Sequence, residues 1–458
     1  MPPRSPERPR LRAVEPQWVR VEGEDRLWLR DPLELAGRGQ AVVVPALLVP
    51  LLAGCDGTRD AAALGRHFTA RTGSTLPAGT VERLVDALDG ALLLDSPRYR
   101  QALARAVDEY RSRPFRQPTI AGRGYPAEGG ALDDRLRDYA PDWAAGAAVE
   151  AIERAPQPAL AGGVRPPELV PMSRLGPQRP AGGVLSPHID YQRGGPLYAA
   201  TWEAAIPAVA TADVVVLFGT DHHGSAGRLT PTRLPYATPW GTLPLDGAGV
   251  DALSAVLGES AAFEEELHHR REHSIELAAV WLHWALRRSG REGPDLPPLL
   301  PVLCGSFYPY TQPAGEGPGA CPVPEDEPAL DGVVEALAAA AGGRRVLVVA
   351  AADLAHVGPA FGDPAGLDGA AKVALAASDA RLLAPALGGS AGDFLAALRA
   401  ASDRTRVCGL PPTYWALRLL ERLAGRPVPG RLAGYRQCPA DDAFGSVVSI
   451  AGALWDLP

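Results

Sequence analysis

Residues 183–191 read Gly-Val-Leu-Ser-Pro-His-Ile-Asp-Tyr, a short apolar run closed by the tripeptide Pro187-His188-Ile189. The same grammar recurs downstream. Asp213 to Phe218 leads into Gly219-Thr220-Asp221-His222-His223-Gly224, and Arg345 to Ala350 leads into Ala351-Ala352-Asp353-Leu354-Ala355-His356. Arg406-Val407-Cys408-Gly409 stands in the same way just ahead of a helical stretch at Thr413. A lone histidine is more often structural than functional. Several at the strand ends of one sheet reverse that expectation, because imidazoles there can converge on one metal ion or one reacting group.

Around these ends the chain alternates short apolar runs with Ala/Leu-rich stretches. Gly183-Val184-Leu185, Asp213 to Phe218, Leu299 to Leu303, Arg345 to Ala350 and Val447 to Ala451 read as buried strands. Tyr198 to Val209, Ser274 to Arg288, Ala329 to Ala341, Ala370 to Leu387 and Thr413 to Leu423 read as helices. Such alternation predicts an α/β domain with a mainly parallel or mixed central sheet flanked by helices. Ligands in such sheets gather at the carboxyl ends of the strands, where these histidines fall.

Other titratable residues sort by context. Glu272-His273-Ser274-Ile275-Glu276 opens the Ser274 helix, so Glu272 or Ser274 can cap it, or Glu272 and His273 can deliver a carboxylate and an imidazole to the same cleft. His268 and His269, beside Glu264 to Glu266 and Arg270, read as a solvated face, and His67 and His283 as structural.

The chain has 458 residues, 46% hydrophobic and 21% charged, enough for two or three domains with a large core. A formal net charge of -8 excludes nucleic-acid binding through a broad basic surface. Lys372 is the sole lysine, a bias that reflects high-GC bacterial codon usage. Five widely separated cysteines without a CxxC pair argue against a disulfide framework or zinc ribbon and fit a reducing, cytoplasmic setting. The Pro- and Arg-rich start does not read as a signal peptide, and Ala41 to Ala53, broken by Pro45 and Pro50, is too short to span a bilayer.

The predicted organisation is a flexible segment 1–26, a small α+β module at 27–95, a linker helix at 96–115 and the α/β domain at 116–458. In the module, Ala46 to Leu52 reads as a helix, followed by the turn Cys55-Asp56-Gly57-Thr58 and a helix from Asp60 to Thr72. Thr80 N-caps a further helix, and Ala91 to Leu94 reads as a strand. This order resembles the winged-helix-like domain of PqqD-like peptide-binding proteins. Pro156 to Pro180 reads as a long surface loop or lid.

From about Pro118 to Trp455 the ordered landmarks resemble the Memo family, known in bacteria as AmmeMemoRadiSam system protein B. Ala121-Gly122-Arg123-Gly124-Tyr125-Pro126 stands for its opening Ala-Gly-Ser-Trp-Tyr-Pro. Pro187-His188-Ile189-Asp190-Tyr191, with Gly195 beyond, stands for its Pro-His-Ala-Gly-Tyr, and Gly219 to His223 for its Gly-Pro-Ser-His-His. Glu272 to Glu276, Pro301-Val302-Leu303, Asp353 to Gly358 and Cys408-Gly409 follow in order. Ile120 replaces a common His, and Asp190 sets a carboxylate beside His188.

The resemblance implies a fold similar to class III extradiol dioxygenases, which hold non-haem Fe(II) with two histidines and a carboxylate. It implies His188, His222 and Cys408 as metal ligands, with Asp353 and His356 lining the pocket. Fe(II) is the first expectation for the metal, with Cu or Zn as alternatives. His356 or His273 would serve as acid or base, and Asp353 would orient a histidine. The implied activity is a dioxygenase-like oxidoreductase acting on a small molecule or a modified peptide, in company with a radical SAM enzyme and an AMMECR1-like protein. Two other readings stay open: a non-catalytic scaffold that keeps the fold, and a hydrolase or transferase with Cys408 as nucleophile and His188 or His222 as base. Substrate choice would fall to the loops Pro156 to Pro180 and Thr230 to Gly241.

Overall fold

The computed structural model describes residues 5–37, 39–139, 182–311 and 322–457. The predicted loop from Pro156 to Pro180 lies outside them. The chain divides into two compact units, residues 1–113 and 114–458.

The first unit opens on a three-stranded antiparallel sheet in the order β1 (Glu15–Val21), β2 (Glu24–Arg30) and β3 (Ala41–Pro45). A flexible start was expected there. Instead Glu22 and Gly23, both at positive φ, turn β1 back on β2 (54° and 85°). Leu27 and Leu29 alternate inward to meet Val44 and, from the helices Ala61–Thr72 and Thr80–Gly90, Leu64, Phe68, Leu84 and Leu88. Asp60 caps the first of these helices by accepting from the Ala63 N–H at 2.7 Å. Gly79, not Thr80, occupies the cap position of the second. Ala91 to Leu94 is not a strand, since its pairing is a single bridge between Leu94 and Leu11. The helix Pro97–Arg111 is capped by Ser96 and lies within this unit.

The second unit is built on an eight-stranded mixed sheet. Its centre is four parallel strands in the order β4 (Gly183–Ser186), β10 (Val346–Ala351), β5 (Val214–Thr220) and β9 (Leu299–Cys304). β6 (Leu229–Pro231) is antiparallel to β9. On the other flank β13 (Val447–Trp455) is antiparallel to β4, and β11 (His356–Val357) and β12 (Gly430–Pro439) both pair with β13. Every residue of β4, β5, β9 and β10 is buried, which is why these strands are uninterrupted apolar runs.

The two faces of the sheet carry separate cores. Val216, Phe218, Val302 and Val348 pack with Trp415 and Leu417 of the helix Leu410–Ala424. Val215, Leu217 and Val349 point the other way, toward Tyr198 and Trp202 of Tyr191–Thr211 and Ile275 and Trp281 of Ser274–Arg288. The first of those two helices begins seven residues before the predicted Tyr198 and tolerates Pro196 and Pro207. Thr230 to Gly241, expected as an open recognition loop, instead holds part of β6 and the strand β7 (Tyr236–Thr238), with β8 (Gly241–Leu243) paired to it. Thr230, Thr232 and Tyr236 are buried there.

Candidate metal centre

Three neighbouring parallel strands deliver one residue each, two positions past their ends: His188 after Ser186, Asp353 after Ala351 and His222 after Thr220. The strands run in register, Ala351 lying beside both Ser186 and Gly219, so the three arrive at one edge of the sheet. Cys408 comes from one face, two residues ahead of Leu410–Ala424. Glu272 and His273 come from the other face, immediately ahead of Ser274–Arg288. Ligand atoms of His188, His222 and Cys408 all lie within 4.8 Å of one another.

His188 is buried and its orientation is fixed. Its Nδ1 lies 3.0 Å from the Ala351 carbonyl, which can only accept, so Nδ1 carries a proton and Nε2 faces the site. Nε2 is 3.3 Å from the Cys408 sulfur and 3.7 Å from Asp353 Oδ2. Asp353 also accepts from the backbone N–H groups of His188 and Ile189, at 2.8 and 3.3 Å. Its own carbonyl accepts from Gly409 N at 3.0 Å. A Cβ on Gly409 would stand 2.3 Å from that carbonyl oxygen, so only glycine lets the Cys408 turn approach so closely.

His222 is held by the carboxylate of Glu272, whose Oε2 accepts from the His222 backbone N–H at 3.1 Å and from Nδ1 at 3.0 Å. This leaves Nε2 for a ligand. The other oxygen of Glu272 accepts from the N–H groups of His273 and Ser274, at 2.7 and 3.0 Å, in the first turn of the helix. Capping the helix and delivering a carboxylate, weighed as alternatives for Glu272 from sequence, are done by the same group. Ser274 Oγ donates to the Thr220 carbonyl at 2.8 Å, and Thr220 Oγ1 donates to the Cys408 carbonyl at 3.2 Å, which lace the three segments together.

His273 completes a cluster of three imidazoles. Its ring stacks on His222 at 5.0 Å and meets His188 edge-on at 5.8 Å. Its side chain is 41% exposed and that of His222 30%, against 2% for His188, so the centre opens on the His222 and His273 side.

His356 stands apart from this cluster. Its ring packs edge-on against Phe361 at 5.1 Å, and its Nδ1 faces the Leu354 carbonyl at 3.1 Å. Asp190 also points elsewhere: it caps the Tyr191–Thr211 helix through Arg193 N at 3.1 Å and pairs with Arg193 Nε at 2.6 Å. The carboxylate that the sequence sets beside His188 is thus engaged by the helix cap and by Arg193. His268 and His269 do not form a solvated face. His269 is fully buried between the Tyr236 hydroxyl at 2.7 Å and the Thr230 carbonyl at 2.8 Å. His268 Nδ1 pairs with Asp221 Oδ2 at 2.9 Å. With Glu265 these two form a further group of potential donors, already engaged: Glu265 accepts from the Ser225 hydroxyl and lies 3.7 Å from Arg228 Nε. His283, expected to be structural, is buried against Thr238 Oγ1 at 2.7 Å.

Charge in the centre follows from these contacts. Burial disfavours the His188 cation, but Asp353 and Cys408 outweigh it and hold the imidazole up at about 9. Burial alone would raise the Cys408 thiol; His188 beside it, the His222 hydrogen bond and the field of His356 bring it down to about 5. Burial likewise opposes charge on Glu272, yet His222 and His273 hold its carboxyl well below the usual range. Once a metal displaces the Nε2 protons, two imidazoles engaged at Nδ1 and a thiolate are the donor set that Fe, Cu and Zn accept, so these residues fit a metal ion.

The architecture defines an α/β protein with two imidazoles and a thiol gathered where parallel strands end. A family model described as Memo-like protein matches residues 164–290, the span that carries His188, His222, Glu272 and His273. A MEMO1 family protein of Aquifex aeolicus is 24% identical over 435 residues, covering 94% of this chain and 96% of the relative. One from Methanosarcina mazei is 24% identical over 53% of this chain and 67% of its own length. Another, from Methanosarcina acetivorans, is 30% identical over 28% of this chain and 42% of its own length. The family model and these relatives together support membership of the Memo family.

Proposed function

We propose that this protein is a metal-dependent oxidoreductase of dioxygenase-like type, with His188, His222 and Cys408 as the ligands of a non-haem Fe(II) ion or, in its place, copper. The observation that carries the reading is the pair of imidazoles fixed by Ala351 and Glu272 around one thiolate. When bound, such a metal supplies one-electron and O2 chemistry. The residues around it prepare the ground. Asp353 and Glu272 fix the ligands before metal arrives, so little reorganisation accompanies binding. His273, stacked on a ligand ring and open to solvent, is the group that exchanges a proton with substrate, and its 3.2 Å contact with Glu272 aligns it. His356 acts at longer range, through its field on Cys408. The substrate is a small molecule or a modified peptide, the latter brought by the first unit acting as a PqqD-like module. The setting is the cytoplasm, beside radical SAM and AMMECR1-like partners; among the described residues no helix is long and apolar enough to cross a membrane.

Metal analysis of protein purified without oxygen tests this. Wild type should carry stoichiometric iron or copper and His188→Ala almost none. Equal, negligible metal in both would overturn the reading.

One observation favours a second reading. Cys408 Sγ and His188 Nε2, 3.3 Å apart, also form the thiolate–imidazolium pair of a cysteine nucleophile. Turnover of a thioester or ester by chelator-treated protein, abolished in Cys408→Ser, would establish it in place of the first.

A further inference from the structure

We infer that Arg116 is a positioning residue of the metal centre, a buried guanidinium that sets the place of His222 through Glu272. The inference rests on the metal-centre reading above. Arg116 is 1% exposed, and its donors fan out over one short segment. Nε donates to the His269 carbonyl at 2.8 Å, Nη2 donates to the Glu272 carbonyl at 2.8 Å, and Nη1 pairs with the Glu276 carboxylate. The segment from His269 to Glu276 is therefore held at both ends and in its middle by one planar group.

That segment is the one whose Glu272 carboxylate grips the backbone and Nδ1 of His222. The guanidinium is itself immobile. Its carbon lies 4.9 Å from the centre of the Tyr236 ring, and its main chain bonds to Pro235 and Ala237 at 2.8 and 3.0 Å. Glu276 is as firmly placed, accepting from Thr119 N, Ile120 N and the Tyr125 hydroxyl at 2.9, 3.0 and 2.6 Å. A buried ion pair of this kind is a weak source of net stability, but a rigid fork fixes the directions of the carbonyls it binds. Lysine carries the charge without the fork and cannot serve all three acceptors in one plane. In the contacts above Arg116 reaches the centre through the Glu272 carbonyl, so its influence on the metal passes through Glu272.

Cobalt(II) titration of the metal-free full chain, read by the thiolate-to-cobalt charge-transfer and d–d bands, tests the inference. Arg116→Lys should weaken Co(II) binding about tenfold, the low end of what loss of an outer-shell partner costs, and should shift the d–d bands. Asp246→Asn, which removes the ion pair between Arg344 and Asp246 at 3.3 Å, is the destabilised control and should bind Co(II) like wild type. Added to Glu272→Gln, Arg116→Lys should weaken binding no further. If Arg116→Lys does not fold, Glu276→Gln, which unpairs the guanidinium but keeps it, should show the same weakening. Wild-type binding in the Arg116 and Glu276 variants, equal weakening in the Asp246 control, or multiplying effects of Arg116→Lys and Glu272→Gln would each overturn the clamp. No Co(II) binding by wild type would overturn the centre itself, and the clamp with it.

Discussion

Cys408 is the residue whose chemistry depends most on its neighbours. Cys55 and Cys438 show what happens where burial is the largest influence: burial, with Asp56 adding to it, pushes Cys55 up to about 11, and burial pushes Cys438 up to about 12. Beside His188, Cys408 falls to about 5, so in metal-free protein it stays a thiolate down to roughly that pH. Alkylation of Cys408 by iodoacetamide should then be nearly independent of pH between about 6 and 8, whereas an ordinary thiol speeds up about tenfold per pH unit below a pKa of about 8.5. In His188→Ala the ordinary slope should return. An ordinary slope in wild type would contradict the thiolate. The residue types of the centre were legible in the chain because each follows a strand end or precedes a helix. The partner of Glu272 was not: the sequence offers that residue as a cap or as a carboxylate for the cleft, and only the fold brings residue 272 to residue 222.

At the scale of elements, the parallel strands were legible because burial on both faces leaves an unbroken apolar run. The short strands β6, β7, β8 and β11, of two or three residues each, carry too few positions for any period to show. Asp190 illustrates how an element claims a side chain. Residue type and position suggested a site carboxylate, but the following helix needs a cap, and its Arg193 N–H and guanidinium satisfy that carboxylate. Asp190→Ala should therefore lower unfolding stability by about 1 kcal/mol, measured by urea denaturation, with metal content unchanged. Loss of metal at unchanged stability would make Asp190 a ligand after all.

For the whole molecule, pH dependence of stability reaches beyond the centre. Asp379, buried between the sheet and its own helix, accepts from the Tyr435 hydroxyl at 2.7 Å. Burial pushes its carboxyl up to about 6, only partly offset by Ser449 and Tyr435. An acid whose folded pKa is raised costs stability as pH climbs from the unfolded value of about 4 through 6, here on the order of 2 to 3 kcal/mol, and costs nothing below pH 4. Asp379→Asn should melt higher than wild type at pH 8 and level with it at pH 4. A lower melting temperature at pH 8 would refute this. The alignment with the Aquifex aeolicus relative covers 94% of this chain and so takes in most of residues 1–113 as well as the α/β unit. In the α/β unit, the donors hang from two supports. Asp353 carries His188 by its carboxylate and the Cys408 turn by its carbonyl, so any drift of that residue moves two donors together and keeps their separation. His222 hangs from Glu272, on the opposite layer of the molecule. A change at Glu272 should therefore disturb His222 while sparing the contact between Cys408 and His188, so the two supports can be probed one at a time.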